Sequence, residues 1–279
     1  GYESKNVERA FKMREAYLQS AISGAVAAGN VLTERYTDVL HVARKESLRD
    51  VVTEVDRLAE DAALAVLKKN HPKIPILSEE QGFTGATRQK TTDAYWVVDA
   101  LDGTVNYVNH IPFFCVSIAL IENKEPTVGV IYNPLFQDLY YGADGIGAFK
   151  NQVRLAIKEK NVDESVFSVA FSGKKTDPAG RNDEFLLMVE VNDLSRGCLR
   201  TGSAAMNLAY LAEGRLGGCW GKGNKRWDVA AGLLLAKLAG ASVHTRIVDE
   251  EKNLLTYFAG APRIWSQLKP RLTRVLGAL

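Results

Sequence analysis

Residues 96–107 of the 279-residue chain read WVVDALDGTVNY. An apolar run that predicts a buried strand leads into Asp99, and Asp102 follows three residues later, just before Gly103 and Thr104. Two carboxylates at the end of a buried strand repel each other, and a buried carboxylate is costly unless something neutralises it. The stretch therefore indicates a bound metal cation, whose other ligands should lie elsewhere in the chain.

The composition is that of an ordinary globular protein, with 46% hydrophobic residues, 24% charged residues and a net charge of +2. The basic residues are dispersed, and no apolar run is long enough to span a membrane, so we predict neither a nucleic-acid nor a membrane partner. Three cysteines without a CxxC pair favour neither disulfides nor zinc. They indicate a reducing, cytoplasmic setting, or an organelle if a transit segment has been removed.

Helical and strand patterns alternate along the chain. Helical spacing covers residues 1–36 and 54–70, and strands are predicted at 74–78, 95–99, 113–121, 127–133 and 139–143. The second half predicts strands at 165–172 and 257–262 and helices at 182–190, 201–215, 227–240 and the tail. These patterns predict a layered α/β (α+β) sandwich with a division near residue 150. Residues 1–150 would carry most metal ligands and the phosphate site, and residues 151–279 would carry Asp228 and a substrate-specificity loop.

Other acids lie at the ends of predicted elements. Glu79 and Glu80 follow a strand, while Asp56 and Asp228 open helices. Taken singly, the helix-opening acids are explained by the helix dipole, and the two glutamates by a solvated loop. Together with the Asp99 pair they suggest a carboxylate cluster.

Gly103 and Thr104 supply the complementary chemistry. If a short helix begins at Thr104, its free N–H groups form an anion site. Carboxylates beside an anion site suit a hard cation that bridges to phosphate. Because no cysteine or histidine lies at metal-ligand spacing beside these acids, Mg²⁺ is favoured over zinc or copper.

Five segments together resemble the inositol monophosphatase family of Mg²⁺-dependent, lithium-sensitive phosphatases. They are DVVTEVD (50–56), SEEQG (78–82), WVVDALDGTVNYVNHIPFFCVSIAL (96–120), GSAAMNLAYLAEG (202–214) and RWDVAAG (226–232). The resemblance implies the αβαβα sandwich of the sugar-phosphatase type, a homodimer, and a hydrolase for small phosphorylated substrates. The reaction it implies is direct in-line attack of metal-activated water on an inositol monophosphate-like, sugar or polyol phosphate.

The resemblance also implies a role for each matching position. Two or three Mg²⁺ ions would be held by Glu79, Asp99, the Leu101 carbonyl, Asp102 and Asp228. Gly103 and Thr104 would bind phosphate, Asp56 would orient the Thr104 hydroxyl, and Thr104 with Glu79 would deprotonate the attacking water. Candidate substrate contacts are Ser203, Ala204, Gly221, Lys225 and Asp228, and Lys45 matches a mobile-loop lysine near the site.

The chain departs from the family pattern in two places. Ala100 stands where the family has a proline, and Gly221 stands where members acting on inositol phosphates have a glutamate. Lys222, Lys225 and Arg226 follow in the same predicted loop, and Lys174 and Lys175 could add to them. This loop is either a solvated surface or a pocket for a second anionic group.

Three alternatives therefore stay open. One is a phosphatase for a bisphosphate sugar or nucleotide. Another is a histidinol phosphate phosphatase, although a cationic substrate suits these basic residues less well. The third is a regulatory or binding protein that uses this fold as an interaction surface.

Overall fold

The computed structural model describes residues 2–38, 48–84, 94–171 and 178–279. Lys45, Lys174 and Lys175 lie outside these residues. The described α-helices are α1 (Tyr2–Arg35), α2 (Leu48–Asn70), α3 (Thr104–Val108), α4 (Pro178–Leu194), α5 (Ala204–Ala212), α6 (Arg226–Leu238) and α7 (Pro262–Leu276).

Two mixed sheets contain the described strands. The first has the order β2-β1-β3-β4-β5-β6-β7-β8 and is antiparallel except for the parallel pair β1–β3. Its strands are β1 (Ile76–Ser78), β2 (Gly82–Thr84), β3 (Ala94–Asp102), β4 (Cys115–Glu122), β5 (Glu125–Asn133), β6 (Asp138–Ala143), β7 (Gly147–Lys150) and β8 (Val153–Arg154). The second has the order β10-β9-β11-β13-β12. Its strands are β9 (Val166–Phe171), β10 (Gly197–Leu199), β11 (Gly218–Lys225), β12 (Ser242–Asp249) and β13 (Leu254–Gly260).

The elements stack in five layers. Helices α1 and α2 cover the outer face of the first sheet, α5 and α6 lie between the two sheets, and α4 and α7 cover the outer face of the second. The predicted αβαβα sandwich is therefore confirmed. Strands β3 and β4 are buried along most of their length because helices cover both of their faces.

Small residues make the middle layer thin. In α5, Ala205, Ala209 and Ala212 are fully buried, and in α6 Ala230 and Ala231 pack against the first sheet. Short side chains let the two helices fit between two sheets without voids. As a result, the N-terminal ends of α5 and α6 come close to the strands that carry the predicted acids.

Two sequence predictions about local structure were wrong. Helix α2 begins at Leu48 rather than near residue 54, so Asp56 lies inside the helix and does not open it. Residues 219–225, predicted as a loop, form most of strand β11, which pairs with β9 on one side and β13 on the other. A register shift between Gly221 and Asn224 interrupts that second pairing.

No helix in the described parts of the chain is long and apolar enough to cross a membrane.

Candidate active site

The spacing of Asp99 and Asp102 is explained by an irregularity in β3. Side chains alternate between the two faces of a strand, so residues three apart should point in opposite directions. Asp99 pairs with Ser117 and Asp102 with Cys115, which places one extra residue in β3. Such a bulge returns the second side chain to the face of the first. Both carboxylates accordingly meet partners from the middle helical layer.

Asp99 forms a compact cluster with two acids that are distant in sequence. One carboxylate oxygen of each of Glu79, Asp99 and Asp228 lies within 4.8 Å of the others. Glu79 follows the last residue of β1, and Asp228 lies in the first turn of α6. The Leu101 N–H donates a 3.1 Å hydrogen bond to Oδ1 of Asp99. Three separate elements thus contribute to a single acidic cluster.

Asp102 lies beside this trio but is held by the start of α5. Its Oδ2 accepts hydrogen bonds from the Ser203 hydroxyl (2.5 Å) and from the Ala205 N–H (2.9 Å). Ser203 caps α5, since its Oγ also accepts from the Met206 N–H at 3.2 Å. Burial raises the pKa of Asp102 to about 6, although both hydrogen bonds oppose that shift. Ala204, the first residue of α5, is buried next to these contacts.

The carboxylates of the trio all resist ionisation. Burial, and then the charges of Glu79, Asp228 and Asp102, raise the pKa of Asp99 well above its usual range. Burial and the charge of Asp102 raise the pKa of Asp228. The Glu79 side chain is exposed as a whole, yet its carboxyl group faces the cluster. Desolvation of that group and the charge of Asp102 raise the pKa of Glu79 as well. These clustered oxygen donors form no ion pair with any of the described residues, and such a donor set fits a hard divalent cation such as Mg²⁺.

The helix predicted to begin at Thr104 is present. Gly103 precedes it with φ +95°, and a Cβ at that position would lie 3.0 Å from the Phe113 carbonyl oxygen. Only glycine adopts this backbone readily in so little space. The first N–H groups of the helix lack partners within it. The motif therefore places backbone donors that have no partner within the helix directly after Asp102.

Asp56 is not hydrogen-bonded to Thr104 in this structure. The Thr104 hydroxyl donates instead to the Leu101 carbonyl at 3.3 Å, a local bond to the residue three positions earlier. Asp56 is buried in α2, and its Oδ1 has no hydrogen-bond partner among the described residues. Burial, and then the charges of Glu79, Glu80 and Glu60, raise the pKa of Asp56 to about 8.

The side chain of Asn224 fills the space in front of Gly221. A Cβ on Gly221 would lie 2.1 Å from Oδ1 of Asn224 and 2.8 Å from Cε1 of Tyr257. Asn224 and Tyr257 are buried, and neither Asn224 Oδ1 nor the Tyr257 hydroxyl has a hydrogen-bond partner in the described part of the chain. Neither residue was predicted from the sequence, because their only signal was a polar residue close to Gly221 and a tyrosine in a distant strand.

The basic residues of β11 and α6 are largely engaged elsewhere. The Lys225 ammonium donates to the Lys252 carbonyl (3.0 Å) and lies over the Trp227 ring. The Arg226 guanidinium donates to the Tyr95 hydroxyl (2.6 Å) and pairs with Glu250 at 3.3 Å. Lys225 still lies near enough to Asp228 to oppose the rise in the pKa of that acid. Lys222 has no such contact among the described residues.

The five-layer αβαβα sandwich and its acidic cluster, together with a family match and relatives named inositol-1-monophosphatase, identify the protein as a phosphoric monoester hydrolase. The model of the inositol monophosphatase family matches residues 13–276, and the chain belongs to that family.

Several relatives and solved structures are similar to this chain. The Nus factor SuhB of Xylella fastidiosa is 36% identical over 236 residues, covering 83% of this chain and 82% of that protein. The inositol-1-monophosphatase of Mesorhizobium japonicum is 39% identical over 238 residues, covering 82% and 85%. The structure of inositol monophosphatase from Anabaena (Nostoc) superposes with a TM-score of 0.78 and 31% identity, covering 94% of this chain and 96% of that one.

Proposed function

We propose that this protein is a Mg²⁺-dependent phosphomonoesterase that hydrolyses a small polyol or sugar phosphate by direct in-line attack of water. The observation that carries the proposal is the convergence of Glu79, Asp99 and Asp228 within 4.8 Å, from three separate elements. Such a cluster is costly in a folded protein unless a cation neutralises it.

The donor set suggests how Mg²⁺ would be held. Glu79, Asp99 and the Leu101 carbonyl would bind one ion, and Asp99, Asp102 and Asp228 a second, with Glu79 able to reach a third. When bound, Mg²⁺ neutralises the phosphate ester and lowers the pKa of a coordinated water. The hydrogen bonds from Ser203 and Ala205 would keep the Asp102 carboxylate in place.

The protein's own groups would then position the reactants. The N–H groups of Gly103 and Thr104 would hold phosphate oxygens, which are the acceptors a helix start favours. Thr104 and Glu79 would orient the water, and Glu79, whose pKa is raised, would accept its proton. As the water oxygen bonds to phosphorus, the ester P–O bond breaks on the opposite side. The leaving alkoxide then takes a proton from solvent, and no phosphoenzyme forms.

Asp56 is proposed to orient the Thr104 hydroxyl during this step. Its unpartnered Oδ1 supplies an acceptor for that purpose, if the hydroxyl turns away from the Leu101 carbonyl when substrate binds.

Phosphate release from a panel of small phosphate esters tests the activity. We expect turnover of polyol and sugar monophosphates with Mg²⁺ and none after chelation with EDTA. The panel should include inositol monophosphate, bisphosphate sugars, nucleotides and histidinol phosphate. Absence of release from every ester, with Mg²⁺ present, would refute the proposal.

A monophosphate suits the site better than a substrate with a second anion. The Lys225 ammonium donates to the Lys252 carbonyl and lies over the Trp227 ring, and Arg226 bonds to the Tyr95 hydroxyl and to Glu250, so of these three basic residues only Lys222 is left for a second anion in the described part of the chain. We therefore expect bisphosphates to be poorer substrates than monophosphates. Gly221 would contribute backbone atoms alone, and Asn224 would occupy the place of the family's glutamate side chain.

The Gly221→Glu variant tests the arrangement around Asn224. Because the new Cβ would lie 2.1 Å from Asn224 Oδ1, we expect a loss of about 1–3 kcal/mol in the free energy of unfolding. The double variant with Asn224→Ala should recover much of that loss, because the space in front of residue 221 is then free. Its KM for inositol monophosphate should be lower than that of the parent. Thermal melts and steady-state kinetics measure both effects, with Asn224→Ala alone as the control. A Gly221→Glu variant as stable as the parent would contradict the arrangement.

A binding role is the second candidate function, because relatives at 36–38% identity carry the name Nus factor SuhB. The intact acidic cluster argues that such a role would accompany catalysis. Lithium sensitivity and a homodimer rest on the family resemblance, a cytoplasmic location rests on the cysteine pattern, and all three stay predictions.

A further inference from the structure

Glu60 is a fully buried acid that no step of the proposed reaction uses. It lies in α2 and is 0% exposed. Its Oε1 accepts a 2.6 Å hydrogen bond from the Ser78 hydroxyl, and its Oε2 accepts a 3.0 Å hydrogen bond from the Glu80 N–H. Burial raises the pKa of Glu60, and these two hydrogen bonds oppose that shift. Both carboxylate oxygens therefore face donors, which is the environment of an ionised acid.

The two groups that donate hydrogen bonds to Glu60 show which segment of the chain it holds in place. Ser78 and Glu80 are the two neighbours of Glu79, the residue of the acidic trio that lies outside any helix or strand. An apolar side chain would fill the same space in the core without the cost of burying a charge. The carboxylate instead holds the Ser78 side chain on one side of Glu79 and the backbone N–H of Glu80 on the other.

A third hydrogen bond completes the support from the opposite side. The Glu79 N–H donates to the Val98 carbonyl at 3.2 Å, and Ser78 pairs with Val98 in the parallel β1–β3 register. Val98 directly precedes Asp99. The three bonds together fix the backbone of Glu79 relative to Asp99, although the two residues are 20 positions apart in sequence.

We propose that Glu60 is a positioning residue, which sets the Glu79 carboxylate at the distance from Asp99 that Mg²⁺ binding requires. The inference rests on the proposed Mg²⁺-dependent phosphatase. Glu60 touches neither substrate nor metal, and acts only through the turn that carries Glu79.

The Glu60→Gln variant provides the test. Glutamine keeps the shape but has one acceptor oxygen: if that oxygen accepts from the Glu80 N–H, the NH₂ group can only donate to a Ser78 hydroxyl that has rotated, and the negative charge that strengthens both bonds is lost. We expect the Mg²⁺ concentration for half-maximal activity to rise about 10-fold, as is usual when a partner of a metal ligand is altered. The substrate KM and the kcat at saturating Mg²⁺ should stay within about twofold of the parent. The same weakening should appear without catalysis, as a higher Mg²⁺ concentration needed to raise the Tm.

Two further variants make the test specific. Asp61→Asn is the matched control, because Asp61 is the next residue of α2 and accepts a 2.7 Å bond from the exposed Gln81 side chain. It should leave the Mg²⁺ dependence unchanged. Ser78→Ala removes one of the two donors to Glu60. It should raise the half-saturating Mg²⁺ concentration, but less than Glu60→Gln does. This variant keeps the test decisive if Glu60→Gln fails to fold.

The outcomes separate this inference from the proposed function. Normal Mg²⁺ dependence in Glu60→Gln and Ser78→Ala would overturn the positioning role while the parent enzyme stays active. An equal shift in Asp61→Asn would also overturn it, because the effect would then belong to the helix as a whole. If the parent shows neither phosphatase activity nor a Mg²⁺-dependent Tm, the proposed function itself fails, and the positioning role with it.

Discussion

The Asp99→Asn variant should lose about 1,000-fold in kcat, the upper end of what removal of one preorganised electrostatic group costs. Asp99 is the central acid of the site: it belongs to the compact trio and is proposed to ligate two ions. It is 1% exposed, so water cannot replace the lost oxygen. An amide keeps the shape, yet offers one neutral oxygen in place of a carboxylate. Phosphate release at saturating Mg²⁺ measures the loss, and unchanged turnover would rule out the metal site.

The same substitution should make the metal-free protein more stable. Burial, and then the charges of Glu79, Asp228 and Asp102, raise the pKa of Asp99, which means that the folded protein holds this acid at a cost. An amide avoids that cost, because it needs neither a desolvated charge nor an added proton. We therefore expect a higher Tm than the parent in EDTA, together with a much smaller increase on adding Mg²⁺. The exposed Asp163→Asn variant is the control and should match the parent in both melts and in activity.

This variant also separates the two candidate functions. If the chain has a binding role beside catalysis, Asp99→Asn should retain its partner in a pull-down although it no longer releases phosphate. A cellular phenotype that survives the substitution would assign that phenotype to binding. Loss of the phenotype with the fold intact would assign it to catalysis.

The sequence was enough to predict the layers of the fold and which acids converge, because much of the site lies in one continuous segment. Asp99, Asp102, Gly103 and Thr104 lie in one short segment, so their chemistry could be interpreted without knowing the topology. Asp228 was selected as a helix-opening acid, its role as a metal ligand came from the family resemblance, and the structure places its carboxylate within 4.8 Å of that of Asp99.

Other features depended on contacts that sequence patterns do not display. Residues 219–225 are rich in glycine, lysine and asparagine, which is typical of a loop, but pairing on both edges makes them a strand. In the sequence, Glu60 looks like a solvated acid on a helix. Only the structure shows that it is buried and hydrogen-bonded to Ser78 and Glu80, which is the basis of its proposed role. The start of α2 at Leu48 was missed because the apolar spacing becomes clear only after residue 54.

The metal-free protein should lose stability as the pH rises from about 5 to about 8.5. In the unfolded chain, aspartate releases its proton near pH 4. In the folded protein, burial raises the pKa of Asp102 to about 6 and that of Asp56 to about 8. Between these values the folded state binds more protons than the unfolded state, so increasing pH favours unfolding. We expect the Tm in EDTA to fall by at least about 5 °C across this range.

Mg²⁺ should reverse much of this dependence, because a cation stabilises the ionised carboxylates that burial penalises. Melts at saturating Mg²⁺ should therefore change little with pH, and the stabilisation by Mg²⁺ should be largest at the alkaline end. The Asp56→Asn variant isolates one contribution: it should remove the part of the decline that Asp56 causes, which extends from about pH 4 to about pH 8, and leave the part due to Asp102, which ends near pH 6. A Tm in EDTA that rises with pH would show that these acids are stabilised as anions by the protein alone. The acidic cluster would then give no reason to infer a bound cation.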